Sequence, residues 1–164
     1  MSVEKNKIVN KIIRFIPVII MMIVIFAFSA MPGEESSDTS MKFLNPLLHI
    51  MEGISHHKLG PDFENSLHWF IRKAAHFSEY AFFGILVLNA FYTKEKTLLS
   101  LGVFSEIFVL LYAISDEIHQ YFVPGRYAAL LDVCIDSSGA LLGILVVLLI
   151  INSRRKRKRN IETL

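Results

Sequence analysis

Residues 128–159 read AALLDVCIDSSGALLGILVVLLIINSRRKRKR. The run from 128 to 151 is apolar apart from Asp132, Asp136 and two serines, and Arg154 to Arg159 then form an unbroken basic block. About 20 mostly apolar residues cross a bilayer as a helix. A basic block directly behind such a helix anchors it on the cytoplasmic face and contacts anionic lipid. This one stretch makes the chain a helical membrane protein, and it makes the basic tail a membrane anchor rather than a nucleic-acid-binding arm.

Working outward, three more stretches qualify as spans, roughly 12–31, 74–92 and 98–115. The fold expected is an all-α integral membrane protein: a bundle of four transmembrane helices in one domain, 1–164, with a cytoplasmic tail at 152–164. The composition agrees, with 53% hydrophobic residues and a mean hydropathy of +0.47. Those values exclude an ordinary soluble domain. Pro17 either kinks the first helix or marks its entry. Lys5, Lys7, Lys11 and Arg14 form a basic n-region that could suggest a signal peptide, with small residues for cleavage at Ala27-Phe28-Ser29. The apolar run exceeds the usual h-region of about 7–15 residues, so it is read as a retained helix. Cys134 is the only cysteine, which excludes an intramolecular disulfide and a cysteine-built metal cage.

Lys and Arg in short connections set orientation. The amino-terminal segment, the connection 93–97 and the tail are all basic. With four spans they share one side, so both termini are expected in the cytoplasm. The loop between the first two spanning helices and the connection holding residues 116–126 then lie outside. All six histidines fall on or near that outer side.

Two polar clusters sit there. Arg72, His76 and Glu79 share a stripe, with Lys73 and Tyr80 beside it. Asp116, Glu117 and Gln120 share an arc if their helix continues that far, with His119 one step aside; Arg126 follows. Asp132 and Asp136 are an i,i+4 pair, and Gly139 and Gly143 continue their stripe as a small-residue packing seam. Ionisable groups at a membrane are costly and mark function by default. The bland alternative is a set of structural ion pairs that fixes helix register. His76 or His119 could act as general acid or base, with Glu79, Asp116 or Glu117 orienting the imidazole or sharing its proton. Arg72, Lys73 and Arg126 could hold a phosphate or carboxylate. Gln120, Asp132 and Asp136 complete the candidate substrate pocket. The i,i+3 pairs His76/Glu79 and Asp116/His119 could instead hold a divalent cation, but they resemble the metal-ligating helical pairs of other bundles only loosely and no metal is assigned. No cofactor is named.

Glu106 lies deep in the third span, with Asn89 and Ser105 as its only evident partners; it is either a proton relay or an interhelical hydrogen bond. In the outer loop, Pro32-Gly33 reads as a turn and Glu34 to Ser37 as a solvated stretch. Phe43, Leu44, Leu47, Leu48 and Met51 recur around Pro46 as a short amphipathic helix, either a lid over the pocket or an interfacial spacer. His49, His56, His57 and His68 are read as ordinary solvated histidines. Gly60-Pro61-Asp62 breaks the chain, and Asn65 or Ser66 caps a helix from Leu67.

Taken together, Arg72-Lys73-x-x-His76-Phe77-x-Glu79-Tyr80, Asp116-Glu117-x-His119-Gln120-x-Phe122-Val123-Pro124-Gly125-Arg126 and Asp132-x-x-x-Asp136-x-x-Gly139 resemble the VanZ-like family of bacterial membrane proteins. The exit Ser29…Pro32-Gly33-Glu34-Glu35-Ser36 is similar to that family as well. The family often carries Asn at the position of Asp136. The resemblance implies a location in the bacterial plasma membrane and a cell-envelope role associated with lowered susceptibility to the glycopeptide teicoplanin. Three functions stay open: such an accessory protein, an acid–base or metal-assisted enzyme on a lipid-linked or cell-wall substrate, and a small transporter or channel subunit. The expected partners are membrane lipids and a lipid-linked cell-wall precursor or glycopeptide-related target, with no nucleic acid. The oligomeric state is open.

Overall fold

The computed structural model describes residues 2–55 and 60–162. His56 and His57 lie outside the described residues. The described chain is five helices with no strand: α1 Ser2–Ser29, α2 Gly33–Ser55, α3 Pro61–Phe91, α4 Leu98–Tyr121 and α5 Leu130–Glu162. Four of them, all but α2, are long and apolar enough to cross a membrane. The chain is a four-span helical membrane protein.

The exterior is that of a protein dissolved in lipid. Ile12, Ile16, Ile19 and Ile23 on α1 are exposed, as are Leu141, Leu145 and Leu149 on α5. No water drives these helices together, so packing and small residues must hold them. The interior gathers Val18 and Ile25 of α1, Tyr80, Phe83 and Val87 of α3, Val109 and Ala113 of α4, and Ala140 of α5. Because α1 supplies part of this core, the bundle is incomplete without it.

The tightest pairing is α3 with α5, which run parallel. A Cβ on Gly84 would lie 2.6 Å from the Ala140 carbonyl oxygen. A Cβ on Gly139 or Gly143 would overlap the carbonyl oxygens of Phe77 or Ala81. The expected Gly139/Gly143 seam is therefore a backbone-to-backbone contact, with Gly84 contributing from the other side. It fixes the register that sets Lys73 against Asp132 and His76 against Asp136.

The helix boundaries differ from the sequence expectation in each of the five helices. The Glu34–Ser37 stretch is helical: α2 begins at Gly33, and Glu34 and Glu35 fall in its first turn, where carboxylates favour the helix dipole. That makes α2 a 23-residue helix rather than a short one around Pro46. α3 starts at Pro61, with Gly60 extended as its N-cap, because proline suits the first helical position. α4 runs on to Tyr121, which turns Asp116, Glu117 and Gln120 into helical, buried residues. α5 continues through the basic tail. Pro17 lies well inside α1, so it does not mark the entry.

The connections sort into two ends. At one, Arg14 of α1 donates to the Tyr92 carbonyl at 3.2 Å, and the Arg155 guanidinium lies 5.8 Å from the Tyr92 ring centroid. This basic end gathers the start of α1, the α3–α4 connection and the α5 tail. At the other end, Gly33 N–H donates to the Pro124 carbonyl at 3.1 Å. That contact joins the α1–α2 turn to the α4–α5 loop.

Candidate functional site

The loop-to-loop contact depends on two glycines. Gly125 has φ of 74°, in the left-handed region that favours glycine. A Cβ on Gly33 would overlap the Gly125 carbonyl oxygen. Beside them, Arg126 ties three elements together. Its Nε donates to the Met31 carbonyl at 3.0 Å, one terminal nitrogen to the Phe28 carbonyl at 3.0 Å, and the other to Gln120 Oε1 at 3.3 Å. The Phe28 carbonyl already accepts from Met31 N–H at 3.3 Å, and the guanidinium adds a second donor there and one for the Met31 carbonyl, at the helix end where carbonyls run short of helical partners. Burial lowers the Arg126 pKa, as does the neighbouring Arg72 charge, while Asp116 and Glu117 oppose the shift.

Beneath Arg126 the network continues inward. Ser29 Oγ donates to Asp116 Oδ2 at 2.8 Å, and Gln120 Nε2 donates to the same oxygen at 3.1 Å. Asp116, Gln120 and Ser29 are all buried. Two further carboxylates bind α5 to its neighbours. Lys73 pairs with Asp132. His76 Nδ1 lies 3.5 Å from Asp136 Oδ1, and Asp136 is fully buried. Several polar atoms here have no hydrogen-bond partner: His76 Nδ1, the Tyr80 hydroxyl, Asp116 Oδ1 and both oxygens of Asp136.

A cavity of about 590 Å³ opens beside this cluster, between α1, α2, α3 and the α4–α5 loop. Arg72, His76, Glu79 and Arg126 line it, and Ser29 connects it to Asp116. Ser36, Thr39 and Ser40 of α2 close one side. The rest of the wall is apolar, including Met21, Ile25 and Phe82. The start of α2 thus forms part of the pocket wall, while Leu44 and Leu48 farther along are buried.

The structure brings together most of the residues singled out from sequence, in separate roles. Arg72, His76, Glu79 and Arg126 face the cavity, and Asp116, Gln120 and Asp136 stand behind it. Lys73 and Asp132 are spent on each other. Glu117 faces away from the cavity: its Oε2 accepts from Ala129 N–H at 2.8 Å and so holds the entry to α5. His119 stacks on Phe26, with ring centroids 4.1 Å apart, outside the cavity lining. It makes no pair with Asp116, because the carboxylate turns to Ser29 and Gln120 instead. Among the described residues no group of three or more His, Cys, Asp or Glu side chains is placed to hold a metal ion.

Two residues escaped the sequence reading. Ser29 was visible only as part of the helix exit; its one signal was a hydroxyl at the same end as Asp116. Ser137 donates to Glu106 Oε1 at 2.5 Å, so the deep carboxylate has an interhelical partner on α5 rather than Asn89 or Ser105. Asn89 is exposed, and the buried Ser105 hydroxyl is unpartnered.

No curated protein and no solved structure matches the chain. The VanZ/LLP1 family model does, over residues 14–151, from Arg14 at the basic end through all four spans and the whole polar pocket. On that match, which takes in every pocket residue described above, the chain belongs to the VanZ/LLP1 family of proteins.

Proposed function

We propose that this protein works in the bacterial cell envelope, with its polar pocket on the extracytoplasmic side of the plasma membrane, and lowers susceptibility to teicoplanin-type glycopeptides. The observation that carries this reading is the separation of the two ends. The basic connections collect at one, and the pocket with the buried Asp116, Gln120 and Asp136 behind it lies at the other. Placing the basic end in the cytoplasm puts both termini there and turns the pocket outward. A pocket there meets lipid-linked wall precursors, the targets that a lipid-anchored glycopeptide approaches. Expression in a susceptible Gram-positive host is expected to raise teicoplanin tolerance. An unchanged inhibitory concentration at verified membrane levels would remove the proposal.

A second reading, an enzyme on a lipid-linked or cell-wall substrate, is favoured by the His76–Asp136 pair at 3.5 Å with Glu79 on the same cavity wall. An imidazole backed by a carboxylate can take and return a proton. His76→Gln keeps the shape of the site and removes that titration. Full tolerance in His76→Gln at matched expression would leave the accessory role and sink the catalytic one.

A further inference from the structure

Of the four basic side chains Arg72, Lys73, His76 and Arg126, Arg72 alone has no acceptor among the described residues. Lys73 has Asp132, His76 has Asp136, and Arg126 has three acceptors. Among the described residues no carboxylate pairs with the half-buried Arg72 guanidinium, which lines the cavity close enough to Arg126 for their charges to repel. Two guanidiniums held near each other in a partly dry wall call for an anion, and a planar fork suits phosphate or carboxylate.

The shape of the cavity says what carries the anion. From Arg72 to Phe82 the α3 wall descends ten residues, roughly 15 Å along the helix. Over that depth the lining passes from hydroxyls and guanidinium to Met21, Ile25 and Phe82. Phe28 and Phe82, on the flanking helices α1 and α3, are both half-exposed on the lipid-facing surface, so the apolar part communicates with the bilayer. We infer that the cavity takes an anionic lipid, with its headgroup on Arg72 beneath α2 and an acyl chain lying along Met21, Ile25 and Phe82. The inference rests on the pocket reading above and gives that pocket a ligand class. Glu79 and His76, lower on the same wall, then face the junction between headgroup and chain.

The test uses full-length protein, purified in a neutral maltoside detergent and stripped of lipid. Dioctanoyl phosphatidylglycerol or dioctanoyl phosphatidylcholine is added, and bound lipid is counted by native mass spectrometry. The basic tail attracts anionic lipid in every variant, so the quantity compared is the difference between parent and Arg72→Gln. The parent is expected to half-saturate with the anionic lipid at about a tenfold lower concentration than Arg72→Gln, the loss of one charge-assisted contact. Ala75→Phe fills the cavity without touching a charge and is expected to weaken both lipids. Equal binding in parent and Arg72→Gln overturns the inference. Undiminished binding in Ala75→Phe overturns it too, and decides the matter if Arg72→Gln does not fold. Thermal stabilisation by inorganic phosphate equal to that by the anionic lipid would mean a free-anion site and also overturn it. Teicoplanin tolerance without the lipid preference sinks this inference alone, and the lipid preference without tolerance sinks the proposed function alone.

Discussion

Two glycine-to-alanine substitutions should act in opposite directions in this protein. At Gly139 the added methyl would overlap the Phe77 carbonyl oxygen, and the obstacle is backbone. No rotamer change relieves it, so α3 and α5 must separate by about 1 Å, and overpacking of this kind costs about 1–3 kcal/mol. The same separation draws apart the pairs on that seam. His76 Nδ1 and Asp136 Oδ1, now 3.5 Å apart, would pass beyond ion-pair range, and the Lys73–Asp132 contact would lengthen. A loss of about 2–4 kcal/mol follows when the weakened, largely buried pairs are added. At Gly53, exposed on α2, nothing lies within 4 Å of the added methyl. There Ala restricts the unfolded chain and suits the helix, a gain of about 0.5–1 kcal/mol. Denaturation with SDS in mixed micelles, followed by far-UV circular dichroism and by Trp69 fluorescence, compares both with the parent. A Gly139→Ala protein within about 0.5 kcal/mol of the parent would refute the backbone-contact account, because it lies below the smallest overpacking cost.

Other perturbations probe the remaining elements. Arg126→Lys keeps the charge but cannot reach Phe28, Met31 and Gln120 together; a loss of about 2–3 kcal/mol is expected, with faster proteolysis at the 30–33 turn. Ser137→Ala leaves Glu106 without its partner and should cost about 1–3 kcal/mol, whereas Glu106→Gln retains the bond and should cost less than about 1 kcal/mol, both by SDS denaturation. Orientation is checked in intact cells with a membrane-impermeant maleimide, after Cys134→Ser removes the exposed native thiol. Gly53→Cys should label without permeabilisation and Lys96→Cys only after it; the reverse pattern would invert the topology. Glu117→Gln should keep the Ala129 cap and the fold, while Glu117→Ala should loosen the start of α5, seen as faster amide exchange there.

The sequence by itself determined the membrane class, the four spans and the sorting of connections into two ends. Each of these is a local property: an apolar run of spanning length, or a count of basic residues in a short loop. The Gly139/Gly143 seam was legible too, because helical periodicity places small residues on a stripe. The polar motifs showed that a site exists and near which end it lies. Tertiary structure alone decided which polar groups are free to act. Asp132 and Lys73 cancel each other, Glu117 caps a helix, and His119 lies against Phe26, whereas Arg72 is left unpaired on a cavity wall. Residue type and helical phase cannot distinguish these outcomes. Pairing depends on the register between α3 and α5, on the Gly33–Pro124 contact that docks two distant loops, and on α2 beginning early enough to close the cavity. Each of those is set by atoms far apart in the chain, so the residue types were written in the sequence and their partners were not.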